Sequence, residues 1–379
     1  MSGGLGSDTC KVKPLDFSRL QVRPLRRRKS ALHITAILID PDVPPPPCTE
    51  TIQRRTADCA SQIHAARRAG ATVMLLFGAH LIKNGAASIL DRMMERGWLT
   101  HLATNGAGSI HDWELAWCGS TGENVRENVA NGTFGLWHET ASNIHLAIMA
   151  GALVGLGYGQ ALGQFIVNDG VILPSAEELT MQIAVKPEDP LTPARADLLQ
   201  AMHMQHWPVG AINVRHRFWR SSVLAQALRH QVPLTVHPGI GYDIISNHPI
   251  FNGAVIGRGA ERDFKLFSAS VDGLDGGVVL CVGSAIMGPQ VFEKSLSCVN
   301  NLRLRDARAP VSGHSFYVVD LHDGGGWDWS RGEPAKDSPA YYLRFCKTFA
   351  RMGGTMSYLP CDNIVFLHRL YYELNRLAA

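Results

Sequence analysis

From Ala103 to Trp113 the chain reads Ala-Thr-Asn-Gly-Ala-Gly-Ser-Ile-His-Asp-Trp, small residues that open onto a histidine and an aspartate. A short apolar segment, Trp98 to Leu102, precedes this run, and Ile110, Trp113, Glu114 and Trp117 continue it at helical spacing. Strand, small-residue turn and helix in that order are how α/β proteins hold a dinucleotide. Missing side chains let the backbone approach phosphate or ribose, and the helix N-terminus offers free N–H groups with a partial positive charge. Thr104, Asn105, Gly106 and Ala107 are the candidate contacts here. His111 adds a group that titrates near neutrality, and Asp112 a carboxylate that either orients that ring, meets a substrate, or caps a helix.

A second turn of the same design follows the apolar run Thr72 to Phe77. It reads Gly78-Ala79-His80-Leu81-Ile82-Lys83-Asn84-Gly85, after which Ala87, Leu90, Met93 and Met94 recur at helical spacing. Gly78, Ala79 and His80 are its candidate cofactor contacts. Neither turn matches Gly-x-Gly-x-x-Gly, so the standard dinucleotide fingerprint is absent.

A nicotinamide cofactor that takes hydride from a carbon bearing N or O needs a base nearby for the N–H or O–H proton. His80, His111, His237 and His322 are the candidates, with His111 first. Asp243 either pairs with a substrate ammonium or caps the helix that opens at Ile244. Asp320, His322 and Asp323 precede Gly324-Gly325-Gly326. Trp327 or Trp329 beyond them either covers a cationic alkylamine or belongs to the core.

These groups need a scaffold, and the apolar pattern supplies one. Residues 1–50 read as an irregular arm ending in Pro44-Pro45-Pro46-Pro47, and 51–379 as one large catalytic domain. Helical spacing covers Thr51–Ala69, Thr140–Leu156, Ser221–His230, Ala260–Ala269, Gln290–Asn301, Ala340–Arg351 and Asn363–Leu377. Strand candidates are 72–77, 98–102, 209–214, 233–237, 278–282, 316–320 and 355–359, seven in all. The alternation predicts an α/β fold: a doubly wound, mostly parallel Rossmann-like sheet with helices on both faces. Ligands of such sheets sit off the carboxyl ends of the strands. The loops there are 78–85, 105–112, 237–243, 283–289 and 320–329, the glycine-densest parts of the chain.

Composition narrows the partners. With 46% hydrophobic and 18% charged residues among 379, the chain is ordinary for a soluble protein. A net charge of +3 gives no footprint for nucleic acid. The basic cluster Arg23 to Lys29 reads as a solvated arm or a subunit contact. Eight scattered cysteines, without a Cys-x-x-Cys pair or a leader at Met1, read as reduced and cytoplasmic. No apolar run reaches the ~18 residues a membrane span needs. His203 and His206 have no carboxylate close by, so no metal site is expected.

In their order along the chain these loops resemble deoxyhypusine synthase, and more closely its bacterial deoxyhypusine-synthase-like subgroup. The family's Thr-Ser-Asn-Leu-Ile-Ser-Ser-Gly is similar to Gly78–Gly85, and its Thr-Thr-Ala-Gly-Gly-(Val/Ile)-Glu-Glu-Asp to Thr104–Asp112. Its Asn-x-Ile-Pro-Val and Thr-Asp-Gly-Ser-Leu-Gly-Asp run parallel to Gln231–Leu234 and His237–Asp243, with Pro238 in place of the loop's first aspartate. Leu-Gly-Gly-Gly-Val-Val-Lys-His-His becomes Cys281–Pro289, which lacks the family's histidine. The lysine of Asp-Glu-Ala-Val-Ser-Trp-Gly-Lys, nucleophilic in the family, matches Lys347 without its Ser-Trp-Gly context.

The resemblance implies NAD held by the first two loops together with Gly283, Ser284 and Asp320. It also implies an amine contact at Asp243, catalysis by Lys347 and a homotetramer; the residues themselves make His111 the catalytic base and Asp112, His237, Gly241, His322 and Trp327 further candidates for the amine site, in a protein expected to be cytoplasmic. The expected function is NAD-dependent oxidation of a polyamine such as spermidine, or another small amine, to an imine, then aminoalkyl transfer or re-reduction. The alternatives are a dehydrogenase, lyase or cyclase for an unrelated small metabolite, or a catalytically silent NAD(H)-binding protein.

Overall fold

The computed structural model describes residues 12–378. Residues 1–11 of the expected arm, including the Met1 region read for a leader, lie outside the described residues. Six strands form one all-parallel sheet: β1 Val73–Phe77, β2 His101–Asn105, β3 Leu234–His237, β4 Val278–Val282, β5 Ser315–Asp320 and β6 Thr355–Pro360. Their spatial order is β3-β2-β1-β4-β5-β6. This is the doubly wound Rossmann order, in which the chain reverses direction across the sheet between β1 and β4.

The two faces of the sheet carry separate cores. Val73, Leu75 and Phe77 of β1 pack into one, with Ile63 of α1 (Glu50–Arg68), Leu90 of α2 (Ala87–Glu95) and Phe366 of the C-terminal helix Asn363–Ala378. Met74 and Leu76 point the other way. They meet Phe267, Phe292 and Phe349 from the helices Gly253–Asp272, Met287–Arg305 and Arg344–Ala350. Period-two alternation with both faces apolar produces the unbroken hydrophobic runs of β1 and β4, which are buried along their whole length. Helices on both faces are the consequence.

Two strand expectations need correction. Residues 209–214 do not join the sheet: Gly210–Asn213 pairs antiparallel with Gly170–Leu173 in a separate ribbon. Its burial alternates along the strand, as expected of a segment covered on one side only. The strand expected at 98–102 runs instead from His101 to Asn105. Its polar residues are tolerated inside because the His101 Nε2 lies 3.0 Å from Thr235 Oγ1 and the Thr104 hydroxyl donates to the Phe77 carbonyl at 3.1 Å. Gly106 and Gly108 consequently belong to the first turn of a helix, α3 (Gly106–Cys118), and not to a loop.

The N-terminal segment is also more than an arm. Leu32–His33 pairs with Ser120–Thr121. Arg28, read as solvated or at a subunit contact, is buried and forms a bidentate pair with Glu114 at 2.7 and 2.8 Å. Among the described residues no helix is long and apolar enough to cross a membrane.

Candidate functional site

Strand register brings the carboxyl ends of the sheet level: Phe77 pairs with Thr104 and Val282, Val282 with Val319, and Asp320 with Pro360. At the β1/β4 reversal the turns after these strands meet. A Cβ on Gly78 would fall inside 3.0 Å of the Gly283 carbonyl oxygen, so only glycine lets them touch. Gly283 itself has φ +60°, the left-handed region that glycine occupies without strain.

A cavity of about 210 Å³ opens beside this contact, lined by the ends of β1, β4, β5 and β6. His80, Asn84, Gly283, Asp320, Cys361 and Asp362 contribute to its wall, with Val319, Leu321 and Asn363. Asn84 Nδ2 donates to Asn363 Oδ1 at 3.0 Å, which fixes both amides. Asp362 Oδ1 accepts the Ile364 and Val365 amides at 2.9 and 3.1 Å and caps the C-terminal helix. Burial pushes the Cys361 thiol up to about 11, so it stays protonated near neutral pH. Burial and the nearby Lys83 ammonium lower the pKa of His80.

Of the sequence candidates, the cavity brings together His80, Gly283 and Asp320. The end of β6 and the turn after it, residues 360–363, form the one such segment not anticipated from the sequence. It reads Pro-Cys-Asp-Asn, with no glycine to mark a tight turn; only its position at a strand end marks it.

The turn after β2 is closed by the chain's own groups. Asn105 caps α3, its Oδ1 accepting from the Gly108 amide at 2.9 Å, and a Cβ on Gly108 would run into the Thr104 hydroxyl. A Cβ on Gly106 would collide with the Asp243 carboxylate. That carboxylate accepts from the Gly239 amide at 2.7 Å and from the Ala107 amide, and burial raises its pKa. Asp243 thus sits at the N-terminus of α3 rather than capping the turn at Ile244, where it makes no side-chain cap. The small residues Gly106 and Gly108 admit protein atoms, and the helix end faces a carboxyl group from the chain itself.

Asp112 is turned away from His111. It accepts from the Ser222 hydroxyl at 2.6 Å and from the Val223 and Leu224 amides at 2.8 and 3.1 Å, capping the helix Val223–Arg229. Burial pushes its carboxyl up to about 6 despite those donors. With its oxygens so engaged and the residue buried, it neither orients His111 nor meets a substrate.

The carboxylate behind His111 is Glu114. Thr121 donates its single hydroxyl proton to Glu114 Oε2 at 2.5 Å, and its oxygen lies 2.7 Å from His111 Nδ1. Nδ1 must therefore be the donor, which leaves the Nε2 lone pair free. Burial pushes this imidazole down to about 4, with Lys83, Arg28 and His80 adding to the shift against Glu114. At pH 7 His111 is a neutral base of fixed tautomer.

The remaining candidates are dispersed. His237 ends β3, buried, with Nε2 3.0 Å from Thr235 Oγ1. Gly241 is exposed at φ +95°, and the Ser284 hydroxyl accepts from the Gly288 amide at 3.1 Å. His322 is exposed beside Asp323. Trp327 donates Nε1 to the Gly332 carbonyl at 2.9 Å and has Arg331 over its ring, so a cation of the chain occupies that face. Lys347 holds its Nζ 3.6 Å from the Tyr341 ring centroid and is not part of the cavity wall.

The cavity suits one part of a dinucleotide. Asp320 and Asp362 present carboxylate oxygens, which accept from ribose hydroxyls or from an ammonium, and glycine backbone lines one wall. Among the described residues neither arginine nor lysine lines it to meet phosphate.

No protein-family model matches the chain, and no curated protein matches it. Solved structures similar to it include the ternary complex of AgrE with ornithine and NAD+, at TM-score 0.42 and 15% identity, covering 87% of this chain and 34% of that one. A "conserved putative LOR/SDH protein" from Methanococcus maripaludis S2 matches at TM-score 0.40 and 14% identity, covering 90% and 74%. A "putative deoxyhypusine synthase" from Entamoeba histolytica matches at TM-score 0.34 and 8% identity, covering 81% and 75%. The chain spans about one third of the length of the AgrE and ArgZ chains. At such distances the fold is assigned by the strand order of the sheet itself.

Proposed function

We propose that this protein is an NAD-dependent enzyme that oxidises a small amine at the carboxyl edge of the sheet. The carrying observation is the cavity beside the β1/β4 reversal, where ligands of this strand order bind, with the carboxylates of Asp320 and Asp362 in its wall. Bound NAD+ supplies a hydride acceptor. The chain's own part is to hold a cationic substrate by charge, keep the Gly78 and Gly283 turns in contact, and accept a proton. His80, the histidine in the cavity wall, is placed to take an N–H proton, and burial with the nearby Lys83 favours its neutral form; His111, neutral and of fixed tautomer, does not line that wall. A charge-assisted hydrogen bond from a substrate ammonium to one of these carboxylates is worth about 1.5–3 kcal/mol.

For the finer chemistry, a polyamine oxidised to an imine with aminoalkyl transfer or re-reduction is the first reading. One observation favours a plainer dehydrogenase, lyase or cyclase: Lys347, the lysine matched to the family's nucleophile, is engaged by Tyr341 and not part of the cavity wall. Incubation with NAD+ and spermidine or putrescine, following NADH absorbance and product mass, tests the proposal. NADH formed with amines supports it, and turnover confined to neutral alcohols moves the assignment to the alternative. Absence of any heat on calorimetric titration with NAD+ or NADH removes both.

A further inference from the structure

Beneath the carboxyl edge a hydrogen-bonded chain crosses the interior, independent of the β1/β4 cavity. Ser270 Oγ lies 2.8 Å from His101 Nδ1, His101 Nε2 lies 3.0 Å from Thr235 Oγ1, and Thr235 Oγ1 lies 3.0 Å from His237 Nε2. His101 and Thr235 are fully buried, and His237 is 8% exposed. His237 Nδ1 has no protein partner among the described residues and is not sealed from solvent. Ser270, at the other end, is half-buried on the helix Gly253–Asp272. Both imidazoles stand edge-on to Phe267, with ring centroids 5.3 Å away and interplanar angles of 89° and 88°. That single ring fixes both planes.

We propose that Ser270, His101, Thr235 and His237 form a proton wire between the carboxyl edge of the sheet and the half-buried last turn of that helix. Thr235 has one hydroxyl proton and two imidazole nitrogens to satisfy, so the chain has two polarities. In one, His237 Nε2–H donates to Thr235, Thr235 donates to His101 Nε2, and His101 Nδ1–H donates to Ser270. His237 Nδ1 then presents a lone pair to the carboxyl edge. In the other polarity every donor is reversed and Nδ1 carries the proton.

Converting the first to the second binds one proton at His237 Nδ1 and releases one from Ser270 Oγ to solvent. Each bond within the chain passes one proton along, so no charge is left in the interior. Imidazoles that burial keeps neutral suit this task, because neither has to become an imidazolium. His237 and Ser270 are the ports, and His101 and Thr235 are positioning residues.

The wire makes a demand that packing alone does not. His101 and His237 must occupy opposite tautomers, so their Nδ1–H fractions sum to one. Long-range proton–nitrogen NMR of the full chain carrying 15N-histidine at pH 7, assigned with His101→Gln and His237→Gln, reads both fractions without substrate or cofactor. Complementary fractions in the wild type and in Thr235→Ser, lost in Thr235→Val, are expected. Ser270→Ala should move the tautomer ratio at His237 by about three-fold or more, the effect of unsatisfying one buried partner. Ser268→Ala, whose hydroxyl bonds the Phe264 carbonyl on the same helix, should leave that ratio unchanged. Matching tautomers in the wild type, a doubly protonated ring at pH 7, or a His237 ratio indifferent to Ser270→Ala overturns the proposal. The wild-type and Ser270→Ala measurements stand even if Thr235→Val does not fold.

Discussion

Gly78→Ala tests the contact on which the crevice rests. Gly78 has φ −100° and ψ 176°, ordinary extended backbone, so alanine incurs no conformational strain there. The cost is spatial. The new methyl would lie inside 3.0 Å of the Gly283 carbonyl oxygen, and ordinary contact begins at 3.4 Å, so the two turns must part by several tenths of an ångström at least. Gly283 does not yield freely, because its amide donates to the Val319 carbonyl at 3.0 Å. Overpacking of this kind costs about 1–3 kcal/mol, and alanine recovers about 0.4–1 kcal/mol by restricting the unfolded chain. The net expectation is a loss of about 0–2.6 kcal/mol, centred near 1, read as a lower urea midpoint at unchanged slope. Gly257→Ala is the control: a Cβ there meets nothing within 4 Å on an exposed helical face, and alanine should stabilise by about 1 kcal/mol. NAD+ affinity by calorimetry should fall for the first variant and hold for the second. A Gly78→Ala protein more stable than the wild type, with NAD+ affinity unchanged, would show that the β1 and β4 turns do not touch, and the reasoning about the crevice would fail.

Acid should destabilise the fold well above the range where carboxylates titrate. His111, His145, His216 and His237 are pushed down to about 4 by burial, and His101 and His248 to about 3. Below pH 6.5 the unfolded chain binds protons that these rings refuse, so each contributes a loss of up to about 1.4 kcal/mol per pH unit until its folded pKa is reached. Asp112 and Asp263, raised by burial to about 6 and about 7, act in the opposite sense and are outnumbered. A urea midpoint higher at pH 5 than at pH 7 would contradict this. Arg28→Met strips Glu114 of its cation and leaves it only the Thr121 and Thr140 hydroxyls, a loss of about 3–5 kcal/mol by denaturation; a change within about 0.5 kcal/mol would return Arg28 to a solvated arm. Lys347→Ala gives up a cation–π contact of about 0.5–1 kcal/mol and should leave amine turnover intact, whereas abolished turnover would put that lysine in the reaction.

The α/β class was legible because its signals are local. A strand buried on both faces must be apolar throughout, and the runs at 72–77 and 278–282 match β1 and β4 within a residue. The glycine-rich strand ends were legible for the same reason, although the chain turns helical almost at once after two of them, over Ala79–Lys83 and Gly106–Cys118. Side-chain partnership was not legible. His101 and Thr104 look too polar for an interior strand until β3 and β1 supply their partners, so the apolar pattern alone points to 98–102 and not to His101–Asn105. Gly210–Asn213 looks like a sheet strand, and nothing in its own residues says that its neighbour is Gly170–Leu173.

At the site, sequence by itself determined which residue types stand near the strand ends: His80, Asn105, Gly106, His111, Asp243, Gly283 and Asp320. The tertiary structure decided what each of them faces. It turned Asp112 into a cap and set Glu114 behind His111 through Thr121. It laid Asp243 on Gly106, where a phosphate had been expected, and brought Asp362 and Cys361 to the cavity from a turn without glycine. The physical reason is that a backbone turn is set by its own few residues, whereas a hydrogen bond between residues far apart in the chain is set by strand order and register.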